Sequence, residues 1–219
     1  MKFRGLHSSP PLTSYAPTWD FYIGTSICDN IDVKSFSKFL LHKKREVMKL
    51  PLSYYAKGKL FDGYTGLGKR SVTSRSNSFN LLSWSHPEVK KLKTNIIKNV
   101  IEYNTKCGNE TPHELYGYCW YNVLRYRQKI KPHLHGANSQ SYLSGHFNVQ
   151  VGNTSTCYLT PVNQINDPEI IDIKNEVGSM TIFPSYISHY TTPHNSFTPR
   201  ITIAFDINPF KVTDHSIRL

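Results

Sequence analysis

Two histidines one residue apart, His133 and His135, follow Pro132, and a third, His189, closes the run Phe183-Pro184-Ser185-Tyr186-Ile187-Ser188-His189. On a strand, side chains at i and i+2 share a face with Cα atoms roughly 6.5 Å apart, so the pair can reach one ion. A third imidazole from a distant strand would close the site. Neutral imidazole suits iron, zinc, copper and nickel. Eleven positions past His189 stands Arg200-Ile201-Thr202. A strand there would let the guanidinium grip a carboxylate through two hydrogen bonds, with the Thr202 hydroxyl on the same face to complete the clamp.

The other candidate motifs are weaker. Of the ten histidines, His7, His42, His86, His113 and His215 read as surface or turn residues without partners, while His146 and His194 are candidates for a supporting or substrate-facing place. The run from Gly63 to Lys69 fits G-x-x-x-x-G-K but continues with Arg70, where a phosphate loop needs a hydroxyl for Mg²⁺. No helix pattern follows it, so nucleotide binding is set aside. Cys28, Cys107, Cys119 and Cys157 are widely spaced with no C-x-x-C, as expected for reduced packing residues.

These groups need elements to hold them. Residues 1–30 read as loop. A helix is expected over about 32–50, with Val33, Phe36, Phe39, Leu40, Val47 and Met48 as its apolar stripe and Pro51 as its stop. Residues 56–78, polar and rich in glycine, read as an exposed loop. A second helix begins at Pro87, with Ser85 and Glu88 at capping-box spacing and Val89, Leu92, Ile96, Ile97, Val100 and Ile101 forming one stripe. The period then changes to two, and strands are expected near 116–126, 142–151, 155–159, 170–173, 179–183 and 200–207. Two helices followed by six strands predict a mainly β fold with a helical buttress, one domain across 1–219 whose helical part reaches about 110 and whose β core spans about 114–210.

Composition narrows the class. No apolar run approaches 18 residues, which argues against a membrane span, and the first ten residues lack the apolar core of a signal peptide, so a cytoplasmic protein is expected. Lys and Arg number 26 against 15 Asp and Glu, a formal charge of +11. Such an excess attracts nucleic acid or another acidic partner. Its densest runs are Lys43-Lys44-Arg45, Lys57 to Arg75 and Lys90-Lys91-Leu92-Lys93, which solvated helix faces and loops would equally explain.

From Tyr118 to Asp206 the motifs now carry a resemblance. Trp120-Tyr121-Asn122-Val123, His133-Leu134-His135, Leu143-Ser144-Gly145, Gly178 through His189, and Arg200-Ile201-Thr202-Ile203-Ala204-Phe205-Asp206 stand in order over about 90 residues. The segment resembles the 2-oxoglutarate and Fe(II)-dependent oxygenases, most closely an H-x-H branch found in bacteria and their phages. The resemblance implies a double-stranded β-helix in the jelly-roll and cupin style. It implies Fe(II) on His133, His135 and His189, with 2-oxoglutarate on Arg200 and Thr202, O₂ as oxidant and an unidentified substrate hydroxylated as succinate and CO₂ leave.

The wider superfamily carries Asp or Glu where this chain has His135. Asp206 shares the parity of Arg200 but lies about 20 Å along an extended strand, too far to replace that carboxylate. Strand parity adds Asn122 and Tyr126 on one face, and Ser144, His146 and Asn148 on another. The resemblance places a cosubstrate contact near Asn148 or Tyr126. The rival readings are a three-histidine zinc enzyme activating water and a non-catalytic binding or virion structural protein on the same scaffold.

Overall fold

The computed structural model describes residues 1–54, 58–161 and 170–219. Helix α1 (Val33–Val47) starts where the Asp32 carboxylate accepts hydrogen bonds from the backbone N–H groups of Lys34 and Ser35, and it buries Phe36, Leu40 and Val47. Helix α2 (Pro87–Lys106) buries Val89, Leu92, Ile96 and Val100. Its cap differs from the expected Ser85–Glu88 box. His86 is the capping residue, its Nδ1 accepting from the Glu88 N–H, and its ring stacks on Phe39 at 4.1 Å, so it is not a free surface histidine. His7 also has a partner, Asp20 at 2.9 Å. The buried Glu88 carboxylate instead accepts from the Asp32 N–H at 2.8 Å and from Lys91 at 3.0 Å, which ties the two helix starts together. Ile101 is exposed, and Asn99 and Tyr103 take the buried positions on that turn.

The strands are β1 (Lys2–His7), β2 (Asp20–Ile27), β3 (Tyr116–Leu124), β4 (Leu143–Gln150), β5 (Ser155–Leu159), β6 (Ile170–Lys174), β7 (Ser179–Pro184), β8 (His189–Thr191), β9 (Arg200–Asn208) and β10 (Ile217–Arg218). Seven form one sheet in the order β1-β2-β7-β4-β9-β3-β10, and three form a second, β6-β5-β8. Among the described residues every strand pairing is antiparallel. The loop expected over 1–30 is corrected by β1 and β2, which extend the large sheet beyond β7. Its alternation was hidden by Gly5 and Gly24 and by the proline-rich stretch between the strands.

Side chains alternate across the large sheet. One face, with Cys119, Tyr121, Phe147, Met180, Ile182, Ile201, Ile203 and Phe205, packs against Phe36, Leu40, Leu92, Ile96 and Val100 of the two helices in a single core. The opposite face carries Asn122, Ser144, His146, Thr181, Arg200 and Thr202, all buried. Polar groups are rarely buried in such number without partners or a ligand to satisfy them.

The exposed loop expected over 56–78 is also corrected. A 3-10 turn spans Thr73–Ser78, and Thr73, Ser74, Arg75 and Ser76 are buried. The Arg75 guanidinium donates to the carbonyls of Lys69 and Ser71 and to Ser74 Oγ, which removes it from the basic surface. Lys59, Lys69 and Arg70 are exposed, and Lys57 lies outside the described residues. No described helix is long and apolar enough to cross a membrane.

Candidate metal and carboxylate site

His133 and His189 face each other through an isolated antiparallel bridge, with the His133 N–H donating to the His189 carbonyl at 3.1 Å and the reverse bond at 2.9 Å. The His133–His135 pair therefore does not lie on a regular strand, as its spacing had predicted. It is an extended segment held by that bridge and by the His135 N–H, which donates to the Ser185 carbonyl at 3.1 Å. The i, i+2 geometry survives, and one ring nitrogen from each of His133, His135 and His189 lies within 4.8 Å of the others.

Each ring has its other nitrogen engaged. His133 Nδ1 faces the Lys131 carbonyl at 2.9 Å, His189 Nδ1 faces the Ile187 carbonyl at 3.1 Å, and His135 Nδ1 faces Asp206 Oδ1 at 2.5 Å. An acceptor at Nδ1 fixes the proton there and leaves Nε2 with its lone pair free for an ion. Burial, with His135 next to it, pushes His133 down to about 4. Burial and the two neighbouring imidazoles hold His189 well below the ordinary histidine value. Both are therefore neutral at pH 7, the form that binds metal.

Arg200 starts β9 at 1% exposure, and neither its Nε nor its Nη1 has a hydrogen-bond partner among the described residues. Burial pushes its guanidinium down to about 10, which leaves it charged at neutral pH. Thr202 Oγ1, two residues along, is buried and equally unpartnered. Both residues line the same cavity as the three histidines, a space of about 330 Å³. His146 is also in that wall, its Nε2 at 3.1 Å from the Tyr158 hydroxyl. Burial first, then Arg200, pushes His146 down to about 3. Asn122 lines the cavity too, with Oδ1 accepting from the Thr73 hydroxyl. Phe61, Tyr64, Tyr118, Trp120 and Leu134 give the cavity a largely apolar wall.

Two proposed cosubstrate contacts fall elsewhere. Tyr126 lies past the end of β3, exposed and stacked on Phe197 at 4.9 Å, because the chain turns at Arg127 with φ of 64°. Asn148 donates to Ser179 Oγ at 2.9 Å and does not line the cavity. The β-bulge between Asn148 and Gln150 lies at that end of the strand. His194 is fully buried away from the site against the Thr198 carbonyl.

Asp206, expected to lie too far along the strand to replace the missing carboxylate ligand, contacts His135 Nδ1 and is not one of the three converging ligands. The 20 Å separated it from Arg200, whereas the His133–His135 segment crosses the other end of β9. The parity of β9 carried that signal, since Arg200, Thr202, Ala204 and Asp206 all line the cavity. Sequence reasoning also missed Phe61, Tyr64, Thr73 and Ser76, which sit in what read as a solvated loop.

Residues 118–206 match the model of the family described as "Putative 2OG-Fe(II) oxygenase". Among solved structures, a Pseudomonas putida prolyl-4-hydroxylase is similar at a TM-score of 0.53 and 10% identity, covering 86% of this chain and 93% of that one. A Trichoplax adhaerens prolyl hydroxylase, solved with a hypoxia inducible factor peptide fragment, matches at a TM-score of 0.53 and 13% identity, covering 85% and 84%. The α-ketoglutarate-dependent carbocyclase SnoK from nogalamycin biosynthesis gives 0.50 at 10% identity, covering 94% and 79%. At these identities the likeness shows a shared fold, the double-stranded β-helix. No curated protein matches the chain.

Proposed function

We propose that this chain, whose residues 118–206 match the model of the 2OG-Fe(II) oxygenase family, is an iron- and 2-oxoglutarate-dependent dioxygenase hydroxylating a substrate that the cavity admits along its aromatic wall. The observation that carries this reading is Arg200. A buried guanidinium with two nitrogens unpartnered, beside an unpartnered Thr202 hydroxyl, leaves donors that a carboxylate would satisfy, and they open on the cavity holding the three imidazoles. A dicarboxylic acid fits that pair of stations.

His133, His135 and His189 would hold iron through Nε2, leaving positions open for other ligands. Arg200 would fork onto the far carboxylate of 2-oxoglutarate, with Thr202 beside it. His146, kept neutral, donates or accepts at the Tyr158 hydroxyl without adding a second positive charge beside Arg200. Phe61, Tyr118 and Trp120 exclude water from the space where a substrate C–H would sit. Bound iron, with 2-oxoglutarate and O₂, supplies the oxidising power for hydroxylation, with succinate and CO₂ as products.

The test is succinate release from 2-oxoglutarate by protein loaded with Fe(II) under anaerobic conditions and then exposed to O₂. Release that requires iron and disappears in His189→Ala supports the reading. Tight zinc without any 2-oxoglutarate binding would overturn it in favour of a three-histidine zinc enzyme.

A further inference from the structure

Building on that metal site, we infer that Asp206 supplies, one hydrogen bond behind the ligands, the negative charge that three imidazoles lack. Asp206 is thus a positioning residue that sets how tightly the site holds a divalent ion. Neutral imidazoles bring no charge to a 2+ ion, and the same cavity already holds the Arg200 cation. Uncompensated charge in a buried site is costly. Among the described residues that line the cavity, Asp206 is the one carboxylate.

Its geometry suits the task. Oδ1 faces His135 Nδ1 at 2.5 Å and accepts from Ser144 Oγ at 2.7 Å. Ser144 is the direct partner of Asp206 in the β4–β9 register, and Tyr118 is its partner on β3, so Asp206 is fixed between two strands. The other two histidines have neutral backbone carbonyls at Nδ1. A carboxylate behind a ligating imidazole raises its basicity and fixes its orientation, and losing such a partner typically costs 10- to 100-fold in metal affinity.

The experiment is anaerobic titration with Co(II), followed by visible absorption, of the full chain and of Asp206→Asn, His135→Asp and the double variant. Asparagine keeps the shape and an acceptor for both donors but removes the charge. Asp206→Asn should weaken Co(II) by about 10- to 100-fold. In the His135→Asp background the ligand itself carries the charge and Asp206 has no imidazole left to polarise, so the same change should cost far less. A merely structural role would give the same loss in both backgrounds and would overturn the inference, as would Asp206→Asn affinity within twofold of wild type. Should Asp206→Asn not fold, Ser144→Ala removes the bond that orients the carboxylate and must weaken Co(II) severalfold; unchanged affinity there would also overturn it. A wild-type chain that takes up no Co(II) defeats the metal site itself, whereas wild-type binding with an indifferent Asp206 defeats only this inference.

Discussion

Arg200 concentrates the chemistry of the cavity in one side chain. Hydrogen bonds to charged groups contribute about 1.5–3 kcal/mol each, so losing the two bonds of the fork in Arg200→Ala is expected to weaken 2-oxoglutarate by more than about 100-fold, while Co(II) affinity does not fall. Arg200→Lys should recover only part of the loss, because an ammonium lacks the planar fork. Titration calorimetry with each ligand in turn checks both, and equal 2-oxoglutarate affinity in Arg200→Ala would count against the clamp. His146 gives a second prediction. Its folded value of about 3 lies below the ordinary 6.5 because burial disfavours the charged ring, with Arg200 and His135 adding repulsion and Tyr158 its hydrogen-bond partner. The unfolded chain then binds more protons between these values, so the metal-free protein loses stability as pH falls from about 6.5 toward 3. His146→Gln should make the fall of Tm with acid shallower without abolishing it, since His133 and His189 are held neutral by burial as well. An unchanged slope in thermal melts from pH 7 to 4 would contradict this assignment.

Strand alternation puts Ser144 and His146 on one face of β4, with Gly145 between them closely packed by its neighbours. A Cβ at that position would meet the Thr181 carbonyl oxygen and the Phe205 ring, both at 2.4 Å. Gly145 pairs with Ile182 on β7 and with Phe205 on β9, so a side chain there would push on both neighbours, including the strand that carries Asp206. Gly145→Ala is therefore expected to cost about 1–3 kcal/mol in urea unfolding. A loss below about 0.5 kcal/mol would show that the sheet yields more easily than this packing implies. The helical layer is tied by smaller contacts. Asp32→Ala removes the α1 cap, for which about 1 kcal/mol is the usual loss.

The cavity joins segments far apart in the chain: the turn near Thr73, β3, the His133–His135 segment, the start of β8 and strand β9. A ligand that spans them stabilises the folded state as a unit. At 100 times its Kd, a metal ion that binds only the folded chain adds about 2.7 kcal/mol. For a protein of this size that corresponds to a rise in Tm of about 5–10 °C. Differential scanning calorimetry with Co(II), and again after excess chelator, should show the rise and its reversal. A Tm indifferent to metal would argue against ligation by two separate segments.

Local order in the chain carried the ligand spacing of His133 and His135, the downstream His189 and Arg200-x-Thr202, the helices capped near Asp32 and Pro87, and the alternation of the core strands. These signals are legible because each depends on neighbours within a turn or a strand. Tertiary structure decided what depends on contacts between distant segments. It brought β1 and β2 onto the sheet edge, turned the polar run around Thr73 into a cavity wall, turned Tyr126 outward, left Asn148 outside the cavity lining, and placed Asp206 behind His135. Periodicity tells which face a side chain takes, but strand register and the path of a crossing segment determine which residues meet there, and those follow from packing across the sheets.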